Sequence, residues 1–327
     1  MKKIKLSPSN KLISIADNQT ILEALEENGL MLPNNCRAGA CGECKIKVLK
    51  GEFDQGLVLD MALSKAEREE GIGLMCMAKA ISTEIELEWG EEDAKPKLFE
   101  PQENKPYCVI DKRVVTESIV KLELRTLGKV LRFWPGQYLK LTDSKKNIKE
   151  GIYSIANTSN ELGIIELYVE KTLDNENNNW VHDQLTEGDT VYISGAYGEF
   201  IGNPNIEKPV LCLGEGVGLA PMMSLAQGAL IRGGFRKSAT VIEFSDSQKN
   251  VIGKGPFLFL DKKFRNFHYK LCLENNIENF FNENGFSELN SYSIYIAGRS
   301  KFVKNITEVV NKFGADKNSL FIENFNF

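Results

Sequence analysis

The stretch "CRAGACGEC", residues 36–44, places three cysteines within nine residues. A fourth cysteine, Cys76, follows Cys44 after 31 intervening residues. The spacing Cys36-x4-Cys41-x2-Cys44, followed by a distant cysteine, is the plant-type ligand pattern of a 2Fe-2S cluster. Two irons and two bridging sulfides need four thiolates, and a tightly folded loop can present three of them. We therefore predict that these four cysteines bind a 2Fe-2S cluster.

Two alternatives remain for these cysteines, a zinc site and simple burial. A zinc ribbon needs two Cys-x2-Cys pairs, and the sequence offers one, Cys41 with Cys44. Gly39 and Gly42 favour the cluster, because glycine adopts dihedrals denied to other residues and lets amides approach sulfur closely. Such N–H···S contacts help to set a reduction potential. The remaining cysteines stand singly in apolar stretches and are interpreted as small core residues: Cys108, Cys212 and Cys272.

Composition and charge exclude several classes of protein. The chain has 327 residues, enough for two or three domains. Its formal net charge of −5 argues against a nucleic-acid-binding surface. It has two histidines, His182 and His268, too few for zinc sites built on several histidines, and no nucleophile-elbow sequence accompanies them. We therefore expect a bound cofactor to carry the chemistry.

The sequence predicts a cytoplasmic protein without a membrane span. Its first ten residues, "MKKIKLSPSN", are basic but are not followed by the apolar core of an export signal. The longest apolar region, residues 209–231, is interrupted by Glu215, Pro221 and several glycines. The odd number of cysteines, seven, favours a reducing compartment over a disulfide framework.

Strand and helix patterns divide the chain into three parts. Residues 1–95 predict a small sheet around one helix, and the acidic, proline-bearing stretch of residues 90–107 predicts a linker. Closely spaced strand-like segments within residues 104–203 predict a small antiparallel β-barrel. In residues 208–327 strands alternate with helix-length intervals, which predicts a mostly parallel α/β domain. The expected fold class is multidomain α+β.

Short motifs occur along the second and third parts. They are "FWPGQYLKL" at residues 133–141, "GIYSIAN" at 151–157, "GAYGEF" at 195–200, "LGEGVGLAPMM" at 213–223 and "FIENFNF" at 321–327. Through these motifs and its order of domains, the chain resembles the ferredoxin–NADP reductase superfamily. Within it, the chain is similar to the single-chain reductase components of multicomponent oxygenases. This resemblance implies a β-grasp ferredoxin, a flavin-binding barrel and a nucleotide-binding α/β domain.

The resemblance implies that the barrel binds FAD. Tyr153 and Ser154 match the family's R-x-Y-S motif, in which the tyrosine packs on the isoalloxazine ring and the serine reaches the flavin N5 region. Gly151 stands where the family has an arginine that binds a flavin phosphate. Asn175 and Asn178 occupy the two places of a G-x-x-[ST] turn that cradles the pyrophosphate at a helix N-terminus. Phosphate binding must then be rebuilt, with Lys149 or Lys171 as candidate cations.

The resemblance also implies a nicotinamide site in the α/β domain. Gly216, Gly218, Ala220 and Pro221 match the family's G-T-G-x-A-P loop, with valine in place of the threonine. The segment "AGRSKF", residues 297–302, stands where relatives read C-G-P-x-x-M, so that alanine replaces the cysteine near the hydride-transfer position.

The C-terminal stretch and one loop complete the expected site. In the E-x-F ending, Phe325 is the candidate for the aromatic that lies against the flavin, and Phe327 is the alternative. Asp246 follows the strand "TVIEF", where NADP binders need cations, so we expect NADH rather than NADPH.

The expected function is a relay from NADH through FAD and the 2Fe-2S cluster to a partner protein, with an oxygenase as the expected acceptor. The sequence leaves two alternatives open. One is a reductase of the same layout that acts with a partner dehydratase on a sugar nucleotide, as the CDP-deoxyhexose reductases do. The other is a ferredoxin carried on a degenerate reductase scaffold, which the replaced motif positions 151, 217 and 297 favour.

Overall fold

The computed structural model describes most of the chain, and the ranges are residues 2–30, 32–34, 37–40, 42–89, 98–143, 148–172, 175–202, 208–232, 235–273 and 276–325. The chain forms two compact units, Met1–Phe99 and Glu100–Phe327. The predicted domain ends at residues 95 and 203 lie outside the described residues, and the division into three domains stays a prediction.

The first unit is a small mixed sheet packed on one helix. Its elements are β1 (Lys2–Ser7), β2 (Lys11–Ile15), α1 (Ile21–Glu27), β3 (Lys45–Lys50), β4 (Phe53–Asp54), α2 (Lys65–Glu69), β5 (Ile72–Leu74), β6 (Lys79–Ala80) and β7 (Glu84–Glu88). The main sheet has the order β2-β1-β7-β3-β5, and β4 pairs with β6. Alternation buries Ile4 and Leu6 of β1 beside Ile85 and Leu87 of β7. Helix α1 starts at a capping box between Thr20 and Glu23.

The second unit begins with a six-stranded antiparallel sheet. Its elements are β8 (Gln102–Val114), β9 (Ile119–Thr126), β10 (Tyr138–Asp143), β11 (Gly151–Ser154), β12 (Ile164–Glu170), α3 (Glu176–Asp183) and β13 (Thr190–Tyr197). The order is β11-β10-β13-β8-β9-β12, and a bridge between Ile155 and Leu167 joins the two edges into a nearly closed barrel. The antiparallel barrel is thus confirmed.

One prediction about this region is wrong. The linker was expected to extend to residue 107 and to overlap the start of the barrel at residue 104, but β8 already begins at Gln102. Pro106 pairs with Tyr192 of β13, and its carbonyl accepts a hydrogen bond from Leu127 N–H at 3.0 Å. Proline cannot donate to a ladder, but its carbonyl still accepts, so one proline in a thirteen-residue strand does not stop pairing.

The second unit continues with a five-stranded parallel sheet. Its elements are β14 (Val210–Glu215), a 3-10 turn (Gly216–Gly218), α4 (Leu219–Gln227), a π-helical turn (Gly228–Arg232), β15 (Ala239–Phe244), a 3-10 turn (Gln248–Asn250), α5 (Lys254–Lys263), β16 (Phe267–Cys272), α6 (Ile277–Glu283), β17 (Ser293–Arg299), α7 (Ser300–Lys312), a 3-10 turn (Lys317–Ser319) and β18 (Leu320–Phe325). The strand order is β16-β15-β14-β17-β18, and all neighbours are parallel. From β14 the chain first adds strands on one side and then, with β17, on the other, so the switch point of the sheet lies between β14 and β17. Open α/β sheets bind ligands at the carboxyl ends of strands at such a point. Within the described ranges, no helix is both long and apolar enough to cross a membrane.

Candidate functional site

Two of the four predicted cluster ligands, Cys44 and Cys76, lie side by side in the first unit. The backbone N–H of Cys76 donates to Sγ of Cys44 at 3.4 Å, and both residues are buried. Cys44 directly precedes β3 and Cys76 follows β5, the antiparallel partner of β3. The other two predicted ligands, Cys36 and Cys41, lie outside the described residues. Strand pairing therefore brings Cys44 and Cys76 together across the 31 residues that separate them in the sequence.

The glycines of the cysteine loop leave no room for a side chain. Gly39 and Gly42 have φ values of +69° and +73°. A Cβ on Gly42 would lie 2.8 Å from the carbonyl oxygen of Ala62, and one on Gly39 would lie 2.9 Å from a methyl carbon of Val58. Positive φ and crowding together require glycine here. The described part of the loop is therefore closely packed at both glycines.

The surroundings of Cys76 favour its thiolate. The neighbouring Cys44 sulfur, an amide N–H of Gly39 and the charge of Arg37 lower the pKa of the Cys76 thiol to about 6, although burial acts in the opposite direction. The guanidinium of Arg37 is fixed by Glu26, with Nη2 and Oε1 2.7 Å apart. Iron–sulfur clusters are bound by cysteine thiolates. The described half of the ligand set therefore fits a 2Fe-2S cluster.

A cleft with an empty volume of about 270 Å³ lies at the carboxyl edge of the parallel sheet, where it meets the barrel. It brings together four predicted site residues from distant parts of the sequence, which are Tyr153, Ser154, Asn178 and Phe325. The other lining residues are Ile152, Tyr168, Glu170, Val217 and Ala220.

The cleft walls fit a flat aromatic group. Tyr153, Tyr168 and Phe325 supply three rings, and Ser154 supplies a hydroxyl on the same strand as Tyr153. Burial raises the pKa of Tyr153 well above its usual range, so its hydroxyl keeps its proton near neutral pH. A mostly apolar cleft with a few polar groups is the common form of a cofactor site. The residues present therefore fit a flavin ring.

The position of the family's phosphate-binding arginine is occupied by other side chains. A Cβ on Gly151 would lie 2.5 Å from the Tyr153 hydroxyl and 2.6 Å from Oδ1 of Asn177. Of the candidate cations, Lys171 has its Nζ 2.5 Å from Oδ1 of Asp183. The one charged side chain among the described lining residues is an acid, Glu170. These residues do not reproduce the family's cationic grip on a phosphate.

The predicted nicotinamide loop forms the turn between β14 and α4. Gly216 has a φ of +51°, and Gly218 packs against β17 so closely that its Cβ would collide with the carbonyl oxygen of Ala297. Val217, which replaces the family's threonine, and Ala220, which matches the family's loop, line the cleft. Pro221 is buried in the first turn of α4, where a proline needs no hydrogen-bonding partner. The loop thus adjoins the cleft through the residues between its glycines and proline.

Three charged side chains meet beside the cleft, each at the end of a strand. Arg299 ends β17, and its Nη2 lies 3.5 Å from Oε1 of Glu170 at the end of β12. Its Nε lies 3.5 Å from Oε1 of Glu215 at the end of β14. Burial raises the pKa of Glu215, and the charge of Arg299 opposes that effect. One arginine therefore ties the barrel to two strand ends of the parallel sheet.

Asp246 lies apart from the cleft, in the loop that follows β15. Its Oδ1 accepts from Nδ2 of Asn250 at 2.7 Å. The loop is anchored by Glu243, a fully buried residue near the end of β15, whose carboxylate accepts from the N–H groups of Ile252 at 2.7 Å and Gly253 at 3.0 Å. The Tyr269 hydroxyl donates to Oε2 of Glu243 at 2.5 Å. A buried acid therefore sets the path of the segment that carries Asp246.

Sequence reasoning missed several residues of the site. Tyr168 and Glu170 were not predicted, although alternation along β12 places them on one face. Arg299 was noted only as part of a departure from a motif. Asn177 was missed because it sits in a run of three asparagines, residues 177–179. Its burial, with 2% of its surface exposed, is what distinguishes it from an ordinary polar helix residue.

Comparisons with known proteins agree with this description. Residues 4–80 match the family model of a 2Fe-2S iron-sulfur cluster binding domain, and residues 107–201 match that of an oxidoreductase FAD-binding domain. The chain is 32% identical over 232 residues to the reductase subunit of an aromatic O-demethylase from Amycolatopsis sp., covering 69% of this chain and 68% of the relative. It is 29% identical over 268 residues to the phenol hydroxylase P5 protein of Acinetobacter pittii, covering 81% of this chain and 74% of the relative.

Solved structures show the same fold. The crystal structure of an Amycolatopsis cytochrome P450 reductase matches with a TM-score of 0.62 and 23% identity, over 99% of both chains. The ferredoxin reductase in carbazole 1,9a-dioxygenase matches with a TM-score of 0.62 and 19% identity, over 99% of this chain and 98% of the other.

The two matched domains and the fold define an oxidoreductase that joins a 2Fe-2S ferredoxin domain to an FAD-binding domain. The chain belongs to the family of reductase components of oxygenase systems, within the ferredoxin–NADP reductase superfamily. The resemblance inferred from the motifs is thereby confirmed.

Proposed function

We propose that the chain takes electrons from NADH at the cleft described above and delivers them one at a time, through its 2Fe-2S cluster, to an oxygenase component. The observation that carries the proposal is the cleft itself. It gathers Tyr153, Ser154 and Phe325 beside the glycine turn of a parallel sheet, in a chain that also holds a cysteine loop. A flavin bound there supplies the conversion between a hydride, which carries two electrons, and a cluster that takes one.

The lining residues have distinct parts in this proposal. Tyr153 and Phe325 pack against a ring and exclude water from it. Ser154 directs its hydroxyl at the polar edge of that ring. Gly218 lets the nicotinamide loop lie directly on β17, so that a dinucleotide can approach the ring from the sheet side. The residues proposed to contact the flavin and the nicotinamide are thus separate from the four cysteines proposed to bind the cluster.

The preference for NADH rests on Asp246. A carboxylate at the end of the second strand of a nucleotide-binding sheet accepts hydrogen bonds from an unphosphorylated ribose and repels a 2′-phosphate. Asn250 and Glu243 fix the loop in which this carboxylate lies. We expect Asp246→Ser to raise the KM for NADH and lower that for NADPH.

A spectroscopic experiment tests the proposal. Protein purified without oxygen should show flavin bands above the broad absorption of a 2Fe-2S cluster, and NADH should bleach both. Absorption from the cluster alone, unchanged by NADH after FAD is added, would contradict the proposal and favour the degenerate scaffold. Reduction of a purified oxygenase component by the NADH-reduced chain then tests the acceptor, and a sugar-nucleotide dehydratase complex is the competing acceptor.

If hydride enters at the flavin and electrons leave from the cluster, loss of the cluster should affect the reduction of two artificial acceptors differently. Cys41→Ser should abolish reduction of cytochrome c, which takes one electron, and spare NADH-dependent reduction of ferricyanide. Cys108→Ser makes the same change at a half-buried position outside the cysteine loop and should keep both activities. Loss of both activities in Cys41→Ser, with the flavin still bound, would rule out separate sites for hydride entry and electron exit.

A further inference from the structure

The hydroxyl of Tyr153 faces more acceptors than it can satisfy. It lies 2.6 Å from Oδ1 of Asn177 and 2.5 Å from Oδ1 of Asn178, and both asparagines are almost fully buried. A hydroxyl carries one proton, so it can donate to only one of these oxygens. A buried amide oxygen without a donor is costly, at roughly 1–3 kcal/mol. One of the two oxygens therefore needs another partner.

The amide groups are held in these orientations by the backbone. Nδ2 of Asn177 donates to the carbonyls of Leu141 and Lys149, each at 3.0 Å. Nδ2 of Asn178 donates to the carbonyl of Glu170 at 2.8 Å. Rotating either amide by half a turn would place its oxygen against a carbonyl oxygen. Both amide oxygens consequently stay directed at the Tyr153 hydroxyl.

The two asparagines differ in their access to the cleft. Asn178 lines the cleft together with Tyr153, whereas Asn177 is absent from the lining residues and packs against the backbone of β10. Among the described residues, the Tyr153 hydroxyl is the one donor shown to Oδ1 of Asn177. Asn178 can take a proton from whatever occupies the cleft. The arrangement that satisfies both oxygens gives the tyrosine proton to Asn177 and leaves Asn178 facing the ligand.

We propose that Oδ1 of Asn178 accepts a hydrogen bond from a hydroxyl of the ribityl chain of the flavin. This inference rests on the flavin site proposed above. A phosphate diester carries no proton to donate, so a pyrophosphate cannot satisfy this oxygen, whereas an alcohol can. The asparagine pair also fills the place of the family's arginine, because a side chain at position 151 would collide with Tyr153 and Asn177. The chain grips the sugar-alcohol part of the cofactor where relatives use a cation on a phosphate.

A ligand series separates the parts of the flavin. The full-length chain, with its cluster intact and its flavin removed, is titrated with lumiflavin, riboflavin, FMN and FAD, and binding is followed by quenching of flavin fluorescence. Lumiflavin has the ring without the ribityl chain, and riboflavin has the chain without phosphate. We expect Asn178→Ala to lower the affinity for riboflavin, FMN and FAD by a similar factor of about ten, and to leave the affinity for lumiflavin unchanged. Unchanged lumiflavin binding also shows that the cleft is folded.

Two further variants sharpen the test. Asn178→Ser keeps a hydroxyl oxygen that can accept, and it should recover part of the riboflavin affinity. Asn177→Ala removes the matched amide behind the cleft, and it should lower thermal stability more than riboflavin affinity.

Other patterns would overturn the inference. If Asn178→Ala weakened the binding of FMN and FAD but not of riboflavin, Asn178 would contact the phosphates instead. Weaker binding of lumiflavin by Asn178→Ala would mean that Asn178 contacts the ring or supports the packing of the cleft. Equal affinities of Asn178→Ala and the wild type for all four flavins would mean that Asn178 has no part in binding. A wild-type chain that binds none of the four flavins would overturn the proposed function together with this inference.

Discussion

Gly218 and Ala297 are packed so closely that no side-chain carbon fits between them. The ideal Cβ position of Gly218 collides with the carbonyl oxygen of Ala297, and it lies 2.9 Å from the α-carbon of Gly298. Gly218 closes the turn after β14, and Ala297 lies in β17, the strand across the switch point of the sheet. The contact therefore fixes the height of the predicted nicotinamide loop above the carboxyl edge of the sheet.

This contact predicts a strong effect of one methyl group. Gly218→Ala has to push the loop away from β17, and we expect the KM for NADH to rise at least about tenfold, since displacements of about 1 Å can cost two orders of magnitude in rate. Steady-state kinetics with ferricyanide measures this without involving the cluster. Gly255→Ala, in helix α5 with no atom within 4 Å of its Cβ position, is the matched control and should leave the KM unchanged. An unchanged KM in Gly218→Ala would show that the loop can shift freely.

The Tyr153 hydroxyl is predicted to contribute to folding as well as to binding. Tyr153→Phe keeps the ring but leaves Asn177 without its donor, and we expect a loss of about 1–3 kcal/mol in the free energy of unfolding. Thermal or urea unfolding of the flavin-free chain measures this. Tyr192→Phe, on β13 of the same barrel, removes a hydroxyl from a partly exposed position and should cost less than about 0.5 kcal/mol. Equal stability of Tyr153→Phe and the wild type would contradict the hydrogen-bond arrangement.

The buried acid Glu243 predicts a pH dependence of stability. Burial raises the pKa of Glu243, and hydrogen bonds from Tyr269 and two backbone amides reduce that rise. The folded chain therefore binds this proton more tightly than the unfolded chain, so Glu243 lowers stability as pH rises from its ordinary pKa of 4.5 through the raised value. Glu243→Gln lacks this titration. We expect the variant to be less stable than the wild type at pH 5 and the difference to shrink by pH 8.

Melting temperatures of the two proteins across this pH range provide the measurement. A difference that grows with pH would mean that the carboxylate is better stabilised in the folded chain than in the unfolded one. Because Glu243 also anchors the Asp246 loop, the KM for NADH of Glu243→Gln should rise more than its kcat falls.

Arg299 is predicted to hold the charges beside the cleft in balance. Arg299→Ala leaves Glu170 and Glu215 without their shared cation, and the pKa of Glu215, already raised by burial, should rise further. Two uncompensated acids repel an anionic dinucleotide, and we expect the KM for NADH to rise about threefold to tenfold at low salt. Arg265→Ala removes an exposed arginine of the same sheet domain and is the control. A KM that is unchanged at low salt would exclude this electrostatic role.

Much of this site could be predicted because it depends on local patterns. A glycine-rich turn between a strand and a helix is visible in "LGEGVGLAPMM", and the cysteine spacing specifies its own chemistry. Tyr153 and Ser154 were found because a short motif on one strand carries them. The Arg299, Glu170 and Glu215 group could not be found this way, because its members come from the ends of three strands that only the folded chain brings together.

The asparagines illustrate a second limit. Position within a motif pointed to Asn175 and Asn178 as phosphate ligands, but a motif does not say which hydrogen bonds a side chain has already made. Asn175 caps α3 by accepting from the N–H of Asn178 at 3.1 Å. The Asn178 amide nitrogen donates to the Glu170 carbonyl. These hydrogen bonds depend on tertiary packing, so a role in binding could be proposed for Asn178 only after its hydrogen-bond partners were known.

Phe325 is carried by the final pair of β18 with β17, opposite Arg299 in the ladder, and β18 lies at the sheet edge. Its ring can leave the cleft by fraying of a strand end, without any rearrangement of a domain. Such fraying is a local unfolding event with its own small free energy, far below that of global unfolding. Amide hydrogen exchange at the end of β18 would therefore measure the free energy of opening the cleft in the protein without substrate.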